Sequence, residues 1–181
     1  MLNAELYDFI IERLRAWYLD GQAPGFSRGE VSAEMFESVR VRAPASPLDF
    51  HARMQAVRSF LSMAEAEGLA VANKRIANIL KGVSDAVPER VDPALFDARE
   101  ERRLQETLDG LLPLHRSAVA SRRYAEVLRH LAALRDPVDE FFTAVMVMTD
   151  DTARRRNRLA LLQQLRRLFL DVADLSCLPA P

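Results

Sequence analysis

Cysteine is almost missing from these 181 residues: Cys177 stands alone, so no internal disulfide can form. A reducing, cytoplasmic setting is expected. Three scattered histidines, His51, His115 and His130, offer no metal-ligand spacing with that one cysteine, so no metal site is expected. Long apolar runs are missing too. Nothing approaches the roughly 18 uninterrupted apolar residues of a membrane span, and the first residues carry acids in an amphipathic pattern where a signal peptide would be basic and then apolar. No membrane partner and no export are expected. Lysine is scarce: of 25 basic residues only Lys74 and Lys81 are lysines. The arginines suit planar phosphate and base contacts, or reflect a GC-rich genome; the sequence leaves both open. A net charge of -1 excludes holding nucleic acid by bulk electrostatics, so any such face must be local. There is no Gly-rich phosphate loop and no nucleophile paired with histidine. The chain is therefore expected to have no catalytic residue and no cofactor of its own.

Helical periodicity fills the space these absences leave. No segment shows the alternation or β-branched enrichment of a strand, so the expected fold is all-α, a bundle of about seven to eight helices. Leu6, Phe9, Ile10, Leu14 and Trp17 make an apolar stripe over about residues 3 to 19, ending before Gly21 and Gly25. Ser27 and Glu30 have the form of a capping box opening a short helix with Val31, Met35 and Val39. Ser46, Pro47 and Asp49 start a helix carrying Phe50, Met54, Val57 and Leu61. Gly68 marks a break, after which Leu69, Ile76 and Leu80 run to Gly82. The following GVSDAVPERVDP segment reads as a linker, which divides the chain into lobes 1–85 and 86–181. Beyond it, Arg99 to Glu106 reads as a solvated charged face, Tyr124 to Leu134 as a helix and Pro137 to Val145 as another. Thr149 or Asp150 caps a last helix that bears Leu159, Leu162, Leu165 and Phe169.

Charge is concentrated in two places. Residues 69–82 hold three basic residues and no acid, and residues 150–167 hold six arginines against two acids. Positive charge at a helix start opposes the macrodipole unless an anion, phosphate or carboxylate, compensates it. The candidate contacts are Asn73, Lys74, Arg75 and Lys81 in the first segment and Arg154, Arg155, Arg156 and Arg158 in the second. They serve either as contacts to an anionic partner or as a solvated face paired with surface acids. Asn78 and Asn157 serve as contacts or as buried groups that fix packing. Phe141, Phe142, Met146 and Met148 offer stacking surfaces, but their spacing reads as core first, as it does for Trp17 and Tyr18.

Four ordered blocks, DFHARMQAVRSF (49–60), AVANKRIANILK (70–81), LRDPVDEFFTAVMVMTDD (134–151) and RRNRLALLQQLRRLFLDVADLS (155–176), resemble the C-terminal region of the bacterial glycyl-tRNA synthetase beta subunit. The resemblance runs from about residue 7 to Ser176 and is thinnest over 83–123. It departs where that family often has a proline before the ANKR-like helix; here the connection reads SFLSMAEAEGLA. The family's last helices resemble a DALR-type anticodon-binding domain. The resemblance implies a tRNA(Gly) partner bound through the anticodon arm, with no DNA partner, and an alpha subunit reached through the full-length beta subunit. It also implies an ATP- and Mg-dependent aminoacyl-tRNA ligase whose catalytic parts lie outside this chain. The alternative is a helical protein-interaction module that docks the alpha subunit or other beta-subunit domains.

Overall fold

The computed structural model describes residues 4–83 and 86–179. Among these, eight α-helices and three short 3-10 turns account for the regular structure, and no strand occurs. The helices are α1 (Ala4–Leu19), α2 (Ala33–Arg40), α3 (Pro47–Leu61), α4 (Ala66–Lys81), α5 (Arg99–Ala120), α6 (Tyr124–Leu131), α7 (Arg135–Ala144) and α8 (Thr152–Leu170). The expected start of the first helix, residue 3, lies outside the described residues.

Local chemistry sets most of the boundaries. Ser46 caps α3 by accepting the Asp49 N–H at 3.2 Å, with Pro47 in the first turn where a missing N–H costs nothing. Glu30 accepts the Ser27 N–H at 2.8 Å, as half of a capping box would, yet no helix follows. Gly29 has φ +82, a left-handed conformation that a right-handed helix cannot pass through, so α2 starts later, capped by Ser32 through the Met35 N–H. The break expected at Gly68 sits at Ser62–Glu65 instead, and Gly68 lies inside α4. Asp151, rather than Thr149 or Asp150, caps α8 by accepting the Arg154 N–H.

Two clusters of contacts organise the packing. Near the N-terminus the Tyr18 ring is surrounded by Phe26, Phe36 and Phe50 at centroid distances of 5.2, 6.0 and 5.7 Å, while its hydroxyl meets His51 Nδ1 at 2.7 Å. Tyr18 is core as expected, but Trp17 remains 38% exposed on the outer side of α1. The second cluster surrounds α8, whose residues from Asn157 to Leu162 are all buried, so the helix passes through the interior with no solvated side there. Its C-terminal carbonyls are met by cations, as the helix dipole favours: Arg42 donates to Leu170 O, and Arg53 to Asp171 O and Val172 O. Arg53 also pairs with Asp49 at 2.9 Å and stacks on Tyr124, whose hydroxyl donates to Asp49 at 2.6 Å. One network thus joins α3, α6 and the end of α8.

The lobe boundary expected from the sequence falls at residues 85 and 86. Residue 85 itself lies outside the described residues, but the elements on either side of it pack together. The main partner of α3 is α6, and α4 packs on α7, α8 and the 3-10 turn Leu175–Cys177. The buried apolar residues from Ile11 to Leu178 form a single cluster. The reason lies in the α4 stripe, where Leu69, Ile76 and Ala77 are covered by the later helices.

Candidate nucleic-acid interface

The eight residues singled out by charge and spacing separate into exposed and internal groups. On α4, Lys74, Arg75 and Lys81 are exposed, and none has a carboxylate within ion-pair distance among the described residues. Asn73 is buried and donates its side-chain N–H to Leu69 O at 2.9 Å, one turn back on the same helix. The sequence makes it a candidate contact; the structure places its side chain inside. Four residues after Leu69 and three before Ile76, it stands on the apolar face.

The start of α8 separates in the same way. Arg154 lies between Asp97 at 2.9 Å and Asp151 at 3.5 Å, while Arg155 donates to Thr149 O at 2.9 Å. Arg156 is exposed and donates Nε to Ala86 O at 3.2 Å. Arg158, expected among the phosphate or base contacts, is buried: Nε donates to Glu101 Oε1 at 2.9 Å and Nη1 to Met146 O at 3.0 Å. Glu101 is itself buried within the stretch expected to be a solvated face. Its carboxylate also accepts the N–H groups of Asp97 and Ala98, at 2.9 and 2.8 Å, and so closes the first turn of α5. Burial alone would raise its pKa, but the hydrogen bond from Arg158 and the two backbone N–H groups hold it below the ordinary glutamate value.

The remaining expectations also resolve. Asn157 is buried and clasps Asp92, accepting its N–H at 2.7 Å and donating to its carbonyl at 3.0 Å, whereas Asn78 is exposed. Phe141 is core; Phe142 is half-buried with the Arg75 guanidinium 4.1 Å from its ring centroid. Met146 and Met148 are 74% and 54% exposed, not core, because the backbone leaves the helix after Ala144 and the methionines alternate with buried Val145 and Val147. The chemistry available at this surface is therefore that of unpaired cations, an arginine stacked on an aromatic ring, and exposed apolar side chains. Among the described residues, no group of His, Cys, Asp and Glu is placed to hold a metal ion.

Comparison with known proteins adds a family to this geometry. Residues 69–176 match the DALR anticodon binding domain, a span from α4 to the final 3-10 turn. The chain belongs to that family. The DALR span takes in every one of the eight candidate residues, exposed and internal alike. It also begins inside the lobe expected to end at residue 85, in keeping with the way α4 packs on α7 and α8.

Similarity extends beyond the DALR domain to nearly the whole chain. It is 43% identical to the glycine--tRNA ligase beta subunit of Coxiella burnetii (strain Dugway 5J108-111) over 173 residues, 95% of this chain and 24% of that protein. It is 42% identical to the beta subunit of the same name in Vibrio atlanticus over 177 residues, 98% of this chain and 25% of the relative. The Pseudomonas putida (strain GB-1) protein is 44% identical over 177 residues, with the same coverage. The chain spans about a quarter of the length of these curated relatives.

Proposed function

We propose that this chain is a tRNA-binding part of a glycine--tRNA ligase beta subunit and holds the anticodon arm of tRNA(Gly). The observation that carries the reading is the DALR match over 69–176 together with the exposed cations Lys74, Arg75 and Lys81 within it, none ion-paired among the described residues. Cations of this kind release counterions from a nucleic-acid backbone and position it, while sequence is read by contacts to bases. Arg156 joins them at the start of α8, and Arg154 and Arg155 support the loop beside it. In this reading, ATP and Mg belong to the catalytic parts of the complete enzyme, the alpha subunit is met through the rest of the beta subunit, and the site of action is the cytoplasm. Among the described residues, no helix is long and apolar enough to cross a membrane.

A second reading is favoured by one observation, the outward apolar side of α1. Leu6, Phe9 and Trp17 are 49%, 55% and 38% exposed on one short helix, a surface that suits docking against another protein domain. The two readings are compatible, since the family span begins well after α1.

The test is a salt titration of the chain's affinity for a tRNA(Gly) transcript and for a non-cognate tRNA. Tighter binding to tRNA(Gly), with affinity falling as salt rises, is the expected result. Equal and salt-insensitive binding to both would refute the anticodon-arm reading.

A further inference from the structure

A groove of about 550 Å³ runs between α4 and α7. Its floor is formed in part by Gly68. A Cβ at that position would come within 3.3 Å of Arg135 Nε, so Arg135 lies close against α4 at this point. Arg135 is held from the other side by Asp136 and Asp139, at 3.7 and 3.9 Å. Arg75 lines the same groove. Its guanidinium lies over the Phe142 ring, 4.1 Å from the centroid, while the residue as a whole stays exposed. A planar cation is therefore held against an aromatic ring on an exposed residue, a pair on which another flat group can stack.

The charge around the groove decides what that group is. Arg75 and Arg135 line it, and so do Glu67 and Asp139. A phosphate entering here would meet two carboxylates along with the two cations. A nucleobase would not suffer that repulsion: its π-face stacks on guanidinium planes and aromatic rings, and its exocyclic amine or ring N–H donates to carboxylates. Unstacked bases of single-stranded loops are the usual targets of such stacking sites.

We propose that the α4–α7 groove holds one unstacked base of the bound tRNA, stacked on the Arg75–Phe142 pair, with its donor edge facing Glu67 and Asp139. The inference rests on the tRNA reading above and adds to it a base-reading pocket beside Lys74 and Lys81, with Arg75 shared between the two. Arg75 then acts through its plane as much as through its charge.

The test compares wild type with Arg75→Lys, which keeps the charge and loses the plane, and Phe142→Ala, which removes the ring. The probes are a tRNA(Gly) transcript and its anticodon stem-loop with one abasic nucleotide placed at each loop position in turn. Each variant is expected to bind the transcript about 5- to 100-fold more weakly, with an unchanged salt slope. The same loss should appear when wild type meets one abasic position, and that position should cost the two variants nothing further. Arg75→Lys is a surface change, so it keeps the test sharp if Phe142→Ala melts early. Full affinity of Arg75→Lys, or losses that simply add at every abasic position, would overturn the groove while leaving tRNA binding intact. A wild-type chain that binds no tRNA would overturn both readings at once.

Discussion

The guanidinium of Arg158 and the carboxylate of Glu101 meet inside the protein, Nε to Oε1 at 2.9 Å, across 57 residues of chain. Removing one partner leaves the other charge buried and unpaired, which costs about 3–5 kcal/mol. Arg158→Ala is expected to lower stability by that amount in urea denaturation at pH 7. A midpoint like that of the wild type would show that the pair contributes nothing to the fold.

Acid should undo the same contact. In the folded protein Glu101 and Asp49 titrate below their ordinary values; burial opposes this, but hydrogen bonds from Arg158 to Glu101, and from Tyr124 and Arg53 to Asp49, outweigh it. A depressed folded pKa means that the unfolded chain takes up protons first. The stability contributed is thus complete above the unfolded value of about 4 and is lost as pH falls through the folded values. The urea midpoint should hold between pH 7 and 5 and decline below about pH 4. Glu101→Gln should start lower and decline less steeply, and equal slopes for the two proteins would exclude Glu101 as a source of the acid sensitivity.

Asn157 ties the segment before α5 to α8 through both backbone groups of Asp92. Asn157→Ala removes both part-buried hydrogen bonds at a cost of about 0.5–1.5 kcal/mol each. Hydrogen exchange at the Asp92 amide should accelerate more than exchange in α3 or α6. Protection of Asp92 equal to that in wild type would mean that the clasp is dispensable.

Salt dependence separates exposed cations from paired ones. Lys74→Ala, Lys81→Ala and Arg156→Ala are each expected to weaken binding to all tRNAs similarly and to reduce the log–log salt slope by about 0.7–0.9. Arg154→Ala should leave the slope alone, because that side chain already lies between Asp97 and Asp151. A slope reduced by Arg154→Ala would return the arginine cluster to the interface, and unchanged slopes for both lysines would remove α4 from it.

The helices were legible because their signals are local. A three- and four-residue apolar spacing, with Ser46, Pro47 and Asp49 at one start, needs no knowledge of what lies across the core. Asn73 was legible too, had its distance from Leu69 and Ile76 been weighed above its neighbour Lys74. Arg158 sits three, four and seven residues before Leu161, Leu162 and Leu165, a place in an apolar stripe that marks a buried cation. Its partner was not legible, because Glu101 stands among Arg99, Glu100, Arg102 and Arg103 and nothing local sets it apart. The groove was hidden for a similar reason: Gly68, Arg75, Arg135 and Phe142 come from two helices far apart in sequence. Gly68 announced itself as a helix breaker, whereas it lies inside α4 with Arg135 close against it.

The pairing of α3 with α6 has a consequence for the order of events during synthesis. The partner of α3 begins about sixty residues after α3 ends. At about 5–20 residues per second, α3 emerges from the ribosome about 3–12 s before α6, its main partner. Phe50 already has Tyr18 and Phe36 to pack on, but a nascent chain that stops near residue 85 leaves the α6-facing side of α3 uncovered, so such truncated products should be caught by chaperones or degraded.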